Sequence, residues 1–315
     1  MKKKTKKILK ITLLPLLIIV LGNIIFYVYC FLTPKLEINK SQSYYLYDNN
    51  SKLVFGDNDW ISLDKISDDL INATISTEDK YFYKHIGFDY LRIGKAAITN
   101  IVNRNKSEGA STITQQYARN LFLNFDKTWK RKIDEAILAG ELEVHYTKKE
   151  ILEGYLNTIN YGGVYGIESA SKYYFDKSAS NLSLAEAALL AGIPKSPNNY
   201  SPIKNYSKAK ERQKIVLTMM KKNKVISEEE YQKALNENIT IVGKSKESNI
   251  ASVNYFKDSV LEELKSLKQI PSNIIETGGL KIYTTLDSEA QENLENSVQK
   301  YINNEQELET SAIMM

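Results

Sequence analysis

The sequence predicts a mainly α-helical protein, in which one N-terminal transmembrane helix precedes a helical domain and a small α+β region follows it. The residues from Ile11 to Leu32 form a run of 22 without a charge, which is long enough to cross a hydrocarbon core of about 30 Å as a helix. From about Ser62 to Val225, apolar residues recur at mainly helical spacing. From Leu280 to Leu286, apolar and polar residues alternate as in a strand.

The apolar run follows a basic tail. Six of the first ten residues are lysines: Lys2, Lys3, Lys4, Lys6, Lys7 and Lys10. By the positive-inside rule, this tail (residues 1–10) is expected to be cytoplasmic and everything after Pro34 extracytoplasmic. A cleavable signal peptide is the alternative, but it would have a shorter apolar region and a small-x-small cleavage site. Tyr29-Cys30-Phe31 stands there instead, so residues 11–32 are interpreted as an uncleaved, single-pass signal anchor.

The rest of the chain is close to electrically neutral. The whole sequence has 42 Lys and Arg against 38 Asp and Glu, and without the six N-terminal lysines the basic residues number 36. We therefore expect no nucleic-acid partner. The single cysteine, Cys30, excludes a disulfide within one chain and a cysteine metal centre.

Local signals place several elements. Thr147–Glu150 and Ser183–Glu186 are capping boxes that predict helix starts, and Gly192 and Pro194 predict the end of the second helix. Loops are predicted at Gly109–Ser111 and Gly162–Gly166. The polar connector, residues 33–60, has strand-like pieces at Tyr44–Tyr47 and Lys52–Phe55. A helix with Asp287 as N-cap is predicted after residue 286, and Thr310–Met315 has the pattern of a further strand.

Five local sequence patterns occur in one order between residues 78 and 202. They are Glu78-Asp79-Lys-Tyr-Phe82-Tyr-Lys-His85-Ile-Gly87-Phe-Asp89; Gly109-Ala110-Ser111-Thr112-Ile113-Thr114-Gln115-Gln116-Tyr-Ala-Arg119-Asn120; Arg131-Lys132-Ile-Asp-Glu135; Lys149 to Asn157 with Tyr165 to Glu168; and Ala185 to Pro194 with Tyr200-Ser201-Pro202. Each pattern alone is weak evidence, whereas five in this order and spacing are specific.

Together these patterns resemble glycosyltransferase family 51, the peptidoglycan polymerases. That family includes the N-terminal half of class A penicillin-binding proteins and the monofunctional enzymes. The resemblance covers roughly residues 60 to 230. It implies a lysozyme-like glycosyltransferase domain, here residues 61–235, with a smaller membrane-facing lobe that Ile93–Val102 would suit.

The resemblance also implies the reaction. Lipid II would be polymerised into β-1,4-linked glycan strands, with inversion at the anomeric carbon and release of undecaprenyl pyrophosphate. Glu78 matches the catalytic base, which deprotonates the acceptor 4-hydroxyl. Glu135 matches the second essential carboxylate, which organises the phosphate site. The implied partners are lipid II, the growing lipid-linked chain, the bacterial membrane and other cell-wall synthesis proteins.

The residue types suit this chemistry independently of the resemblance. A pyrophosphate leaves as an anion, so it needs cations more than a proton donor. One carboxylate base with scattered Lys and Arg is therefore expected, rather than the carboxylate pair of a hydrolase. The predicted substrate-binding residues are Asp79, Lys95, Ser111, Thr112, Gln115, Gln116, Arg119, Asn120, Lys127, Arg131 and Lys132.

Simpler interpretations stay open for several of these residues. The role of Glu135 could be simply to pair with Arg131 at i, i+4. The basic residues from Lys127 to Lys132 could be a solvated face. Glu150 and Glu186 are explained by helix capping. His85 suits a buried hydrogen bond better than a metal site, since only one other histidine is present. No cofactor is assigned with certainty, although a divalent cation (Mg²⁺ or Mn²⁺) bridging pyrophosphate and a carboxylate is compatible with the site.

Two other functions compete with the polymerase. A lysozyme-like glycan-cleaving enzyme could share the helical fold and a catalytic glutamate, but it would not require the basic residues or the anchor. A non-catalytic membrane scaffold of wall synthesis would not require Glu78 and Glu135.

Residues 236–315 are interpreted as a linker region. Leu280–Asp287 resembles the segment before the transpeptidase domain of class A penicillin-binding proteins. Ser207–Lys210 and Ser297–Lys300 match the Ser-x-x-Lys pattern, but no Lys-Ser/Thr-Gly occurs. The transpeptidase domain is therefore expected to be absent or truncated in this chain.

Overall fold

The computed structural model describes residues 2–38, 44–55, 59–102, 111–122, 128–243, 251–267 and 280–301, together with residues 270 and 275. Within these ranges, the burial of side chains is described from residue 17 on, except at some positions in the third helix and in the last two helices. The predicted sites at Gly109, Ala110 and Lys127 and the predicted strand Thr310–Met315 lie outside the described residues.

Helices form most of the described chain, as predicted. Their bounds are α1 (Lys2–Leu32), α2 (Asp68–Glu78), α3 (Tyr90–Val102), α4 (Ile113–Phe122), α5 (Trp129–His145), α6 (Lys148–Thr158), α7 (Ile167–Phe175), α8 (Leu184–Gly192), α9 (Pro197–Tyr200), α10 (Tyr206–Lys222), α11 (Glu228–Asn236), α12 (Ala251–Ser266) and α13 (Ser288–Tyr301). Both predicted capping boxes are confirmed, at the starts of α6 and α8. Asp287 is the predicted cap of α13, since its carboxylate accepts from the Ala290 N–H at 2.9 Å.

The core of the domain forms around α8. Almost every residue of this helix is buried, because α2 and α10 both pack against it and against each other. Its sequence explains this, since Ala187, Leu189 and Leu190 are apolar on different faces, and a helix that is apolar all round is stable only when it is enclosed. Beside this layer, α4 packs between α5 and α6. The predicted loop at Gly162–Gly166 is confirmed, and Gly162, Gly163 and Gly166 have positive φ there.

A three-stranded sheet joins two distant parts of the chain. The strands are β1 (Tyr45–Tyr47), β2 (Leu53–Phe55) and β3 (Lys281–Tyr283), which confirms the predicted strands although β3 is shorter than expected. β1 lies in the middle, antiparallel to β2 and parallel to β3, with Leu46 opposite Ile282. The connector and the linker region therefore form one small α+β unit. The sequence predicted an α+β region after the helical domain, but not its pairing with the connector.

Asp48 connects two parts of this unit by hydrogen bonds. Its carboxylate accepts from the Ser288 hydroxyl at 2.6 Å and from the Asn50 and Lys52 N–H groups at 2.9 and 2.8 Å. These hydrogen bonds, led by that from Ser288, lower the pKa of Asp48 below its ordinary value, because they favour the charged form. One buried carboxylate thus links the turn after β1 to the start of α13.

The carboxyl-terminal half of α1 packs on α5. Cys30 is buried, and its carbonyl oxygen lies 3.1 Å from the His145 Nε2. Gly140 makes room for this contact, since a Cβ there would lie 2.6 Å from the Phe26 ring and 2.8 Å from the Cys30 Sγ. The predicted anchor, residues 11–32, is helical within α1, which also continues through the predicted tail. In the part of the chain that the structure describes, no helix has both the length and the apolar character needed to span a membrane.

Asp48→Asn is expected to weaken the α+β unit and to reduce its sensitivity to acid. A carboxylate with a lowered folded-state pKa stabilises the fold above its unfolded-state pKa, about 3.9, and this stabilisation is lost as the pH falls through the folded-state pKa. Hydrogen exchange of the Tyr45–Tyr47 amides at neutral and acidic pH measures the effect. The matched control is Asp287→Asn, because asparagine is an equally good N-cap. An equal loss of protection in acid for the parent and Asp48→Asn would contradict the prediction.

Candidate active site

Glu78, the predicted base, is the last residue of α2. The helix is held in the core by Leu70 and Ala73, so its carboxyl end has a fixed position. The residue is only 9% exposed, and its Oε2 accepts a hydrogen bond from the Gln116 Nε2 at 2.9 Å. Among the described residues, no hydrogen bond reaches Oε1, so this oxygen can accept a proton. The Arg92 guanidinium donates to the main-chain carbonyl of Glu78; the sequence patterns did not single out this arginine.

Asp79 lies in a different environment from its neighbour Glu78. Its side chain is 0% exposed. The His85 Nε2 lies 3.0 Å from both carboxylate oxygens, and the Ile113 N–H donates to Oδ2 at 3.0 Å. The expected buried hydrogen bond of His85 is therefore present. For Asp79, which is among the predicted substrate-binding residues, this geometry favours holding the start of α4 over contact with a ligand.

Thr112 and Gln115 cap α4. The Thr112 Oγ1 accepts from the Gln115 N–H at 3.2 Å, and the Gln115 Oε1 accepts from the Thr112 N–H at 3.1 Å. This is the reciprocal pattern of a capping box. The Thr112 hydroxyl also donates to the Gly87 carbonyl at 2.7 Å. Both side chains are buried, and their predicted role in substrate binding stays a prediction.

Glu135 is the centre of a second cluster. Its carboxylate is 0% exposed and accepts from the Arg131 Nη1 at 2.6 Å and from the Lys132 Nζ. The Lys132 Nζ also donates to the Ser111 Oγ at 3.0 Å, so α5 and the residue before the α4 cap are joined. The expected i, i+4 pair of Glu135 with Arg131 is present. Together these three side chains carry one net positive charge, and Lys132 is partly exposed.

The remaining predicted residues are less well defined. Lys95 is exposed on α3, while Arg119 and Asn120 are half-buried on α4. The Arg119 charge is close enough to the Tyr155 phenol to act on its pKa. Lys127 lies outside the described residues, so its predicted contact with pyrophosphate stays a prediction.

Two buried tyrosines, Tyr155 and Tyr161, were missed as site residues. Burial in the core raises the pKa of each phenol well above its ordinary value, and the nearby Glu78 carboxylate raises both further. Glu78 therefore lies near two protonated tyrosines. Their positions in α6 and in the loop after it give no local sequence signal for this, because the proximity to Glu78 exists only in the folded chain.

The arrangement offers one carboxylate with an available oxygen and, in a separate cluster, a carboxylate occupied by two cations. Such a pair can remove a proton from one group and stabilise negative charge on another. Among the residues that the structure describes, no group of three or more His, Cys, Asp or Glu side chains is arranged to hold a metal ion.

Glu135→Gln is expected to lower the free energy of unfolding by roughly 3 kcal/mol, because removing one member of a buried ion pair leaves a buried charge uncompensated. This is the lower end of the usual range, since Lys132 can turn towards water. Urea denaturation measures the change. The control, Glu228→Gln, breaks an exposed pair with Lys221 and should change stability little. Equal changes in the two variants would mean that the Glu135 cluster contributes no more than a surface pair.

Comparison with known proteins identifies the family of the chain. A family model described as Transglycosylase matches residues 51–221, which is more than half of the chain. Penicillin-binding protein 2D of Bacillus subtilis (strain 168) is 47% identical over 245 residues, covering 78% of this chain and 36% of that protein. Penicillin-binding protein 1A/1B of the same organism is 39% identical over 310 residues, covering 93% and 34%. Penicillin-binding protein 1A of Aquifex aeolicus (strain VF5) is 41% identical over 242 residues, covering 76% and 32%.

The chain spans about a third of the length of these relatives. The matched region contains Glu78, Glu135 and all the predicted substrate-binding residues. Because the family model matches more than half of the chain, the chain belongs to the transglycosylase family.

Proposed function

We propose that this chain is a peptidoglycan glycosyltransferase, which polymerises lipid II into β-1,4-linked glycan strands and releases undecaprenyl pyrophosphate. One observation carries the proposal beyond family membership. Among the described residues, one carboxylate oxygen of Glu78 accepts no hydrogen bond, whereas the buried Glu135 carboxylate is paired with two cations. A transfer with an anionic leaving group needs this division between a base and a cationic site.

In the proposed reaction, Oε1 of Glu78 takes the proton from the 4-hydroxyl of the acceptor N-acetylglucosamine. That oxygen attacks C1 of the N-acetylmuramic acid at the end of the growing chain and forms the new glycosidic bond. The bond from C1 to the pyrophosphate breaks, and its electron pair leaves with the pyrophosphate. Attack from the opposite side converts the α-anomer into the β-anomer. Arg131 and Lys132, held in place by Glu135, stabilise the charge on the leaving group.

The geometry disfavours the glycan-cleaving alternative. Most glycosidases use two carboxyl groups, one on each side of the scissile bond, and at least one of them is a protonated acid or a free nucleophile. Here Asp79 is occupied by His85 and the Ile113 N–H, and Glu135 is occupied by Arg131 and Lys132. Incubating the protein with lipid-linked precursor and, separately, with finished glycan distinguishes polymerisation from cleavage. A non-catalytic scaffold would act on neither.

The proposal includes anchoring in a bacterial membrane with the catalytic domain outside the cytoplasm. It rests on the uncharged run Ile11–Leu32, the lysines before it and the many apolar side chains that α1 exposes, such as Ile25, Phe31 and Leu32. A contiguous apolar surface of this kind is typical of contact with lipid or another protein. Partners among the other wall-synthesis proteins and a divalent cation at the pyrophosphate are further parts of the proposal that need separate tests.

A topology reporter fused after Pro34 is expected to report an extracytoplasmic position, because the lysine-rich tail keeps the N-terminus inside. A second fusion after Lys10 provides the cytoplasmic control. A cytoplasmic signal from the Pro34 fusion would contradict the proposed orientation, and equal release of both fusions from washed membranes would contradict the anchor.

Glu78→Gln is the sharpest test of the base. The amide keeps the size of the side chain and an oxygen for Gln116, but it cannot take up the proton. Loss of a positioned general base costs about 10²–10⁴ in rate, so polymerisation of purified lipid II should fall by that factor while the melting temperature changes little. Binding of moenomycin, the phosphoglycolipid inhibitor of the resembled family, should persist because the cations are untouched.

The matched control is Glu230→Gln, which makes the same chemical change in the exposed capping box of α11. It should polymerise at the parent rate. Near-parent activity of Glu78→Gln would show that Glu78 is not the base.

A further inference from the structure

A chain of hydrogen bonds runs from the core to the predicted base. The Tyr155 hydroxyl donates to the Gln116 Oε1 at 3.3 Å, and the Gln116 Nε2 donates to the Glu78 Oε2 at 2.9 Å. Resting on the proposed function, we propose that Tyr155 is a positioning residue for this reaction, which orients the Glu78 carboxylate through the Gln116 amide. None of the motif patterns assigns Tyr155 a role in the site.

The donors and acceptors of this chain permit only one direction. A carboxylate oxygen can only accept, so the NH₂ end of the Gln116 amide must face Glu78. The carbonyl end then faces Tyr155 and needs a donor. The Tyr155 hydroxyl can serve, because burial and, after it, the Glu78 charge raise its pKa and keep it protonated. Without this hydroxyl, the productive orientation of the Gln116 amide loses the hydrogen bond from Tyr155. The free-energy difference between it and the flipped orientation, which turns the amide oxygen towards Glu78, would then be smaller.

Each member of the chain comes from a different helix. Glu78 ends α2, Gln116 is in α4 and Tyr155 is in α6. Tyr155 is 1% exposed and its ring is part of the main core, so the hydroxyl has a well-defined position. The capping box at Thr147–Glu150 fixes the start of α6. Through Gln116, the rigid core thus sets the direction of Oε2, and with it the direction of Oε1, which takes the proton.

Packing alone could also account for a buried tyrosine at position 155, and Tyr117 provides the control for this. It is 0% exposed in the same core, in van der Waals proximity to Gly154. Among the described residues, its hydroxyl has no hydrogen-bond partner. Tyr117→Phe therefore removes the same atom from the same core without breaking a bond to the site.

The test uses the full chain and purified lipid II, with kcat, KM and the melting temperature measured for Tyr155→Phe and Tyr117→Phe. Loss of a positioning hydrogen bond should lower kcat of Tyr155→Phe about 3- to 30-fold with KM within about twofold of the parent. Tyr117→Phe should keep the parent kcat. Equal kcat values for the two variants, or a change confined to KM, would overturn the inference.

A double-mutant cycle tests whether the effect passes through Gln116. In a Gln116→Met background, Tyr155→Phe should cause no further fall in kcat. An equal fall in both backgrounds would show that Tyr155 acts by another route and would overturn the inference. The parent chain separates this result from the larger proposal. If the parent polymerises and the cycle is additive, only the role of Tyr155 fails; if the parent does not polymerise lipid II, the proposed function fails and this inference with it.

Discussion

The buried start of α4 must have its N–H groups satisfied, and both clusters of the candidate site depend on how this is done. The first N–H groups of a helix have no partners within it, and an unsatisfied buried donor costs about 1–3 kcal/mol. Here Asp79 accepts from Ile113, and Thr112 and Gln115 cap each other. These bonds fix α4 against α2, so Gln116 faces Glu78 just one turn later.

The same stretch of chain reaches the second cluster. Ser111, immediately before the cap, accepts from Lys132 on α5. Displacement of the α4 start would therefore affect Glu78, the proposed base, through Gln116 and, at the same time, the ion pairs of Glu135 through Ser111. This explains why the motif around residues 109–120 is rich in small polar residues although several of them are buried. Their shared task is to build a helix start that connects a carboxylate on one side to ion-paired cations on the other.

Local features of the fold were predictable from the sequence, and long-range ones were not. The capping boxes at Thr147 and Ser183 and the Asp287 cap depend on residues three apart, so their signals are contained in a short window. The parallel pairing of β1 with β3 joins residues more than 200 positions apart, and no local pattern encodes it. Thr112 and Gln115 show the intermediate case. Their Thr-x-x-Gln spacing is itself a capping signature, but the resemblance directed attention to substrate binding instead.

The site residues likewise divide into those that local motifs identified and those that depend on long-range contacts. The motifs identified Glu78, Gln116, Arg131, Lys132 and Glu135, and the structure brings these into two hydrogen-bonded clusters. Arg92 was missed, and Tyr155 was given no role although it lies in the fourth motif pattern, because an arginine in a helix and a tyrosine in an apolar stripe are most often explained by solvation and packing. Their contacts with the Glu78 main chain and with Gln116 depend on the angles between α2, α3, α4 and α6. A single sequence carries no information on those angles.

The contact of α1 with α5 adds a geometric constraint on the proposed reaction. Phe26 and Cys30 pack against Gly140, which is five residues after Glu135 on the same helix. At 1.5 Å per residue, this is about 8 Å along α5. Phe26 and Cys30 both belong to the predicted anchor, residues 11–32. If α1 is that anchor, the contact keeps the ion pairs around Glu135 close to the membrane, because they lie within about 8 Å of this contact along the helix axis. In the proposed reaction the leaving group is tied to the membrane by its lipid, so a cationic site near the membrane is suited to meet it.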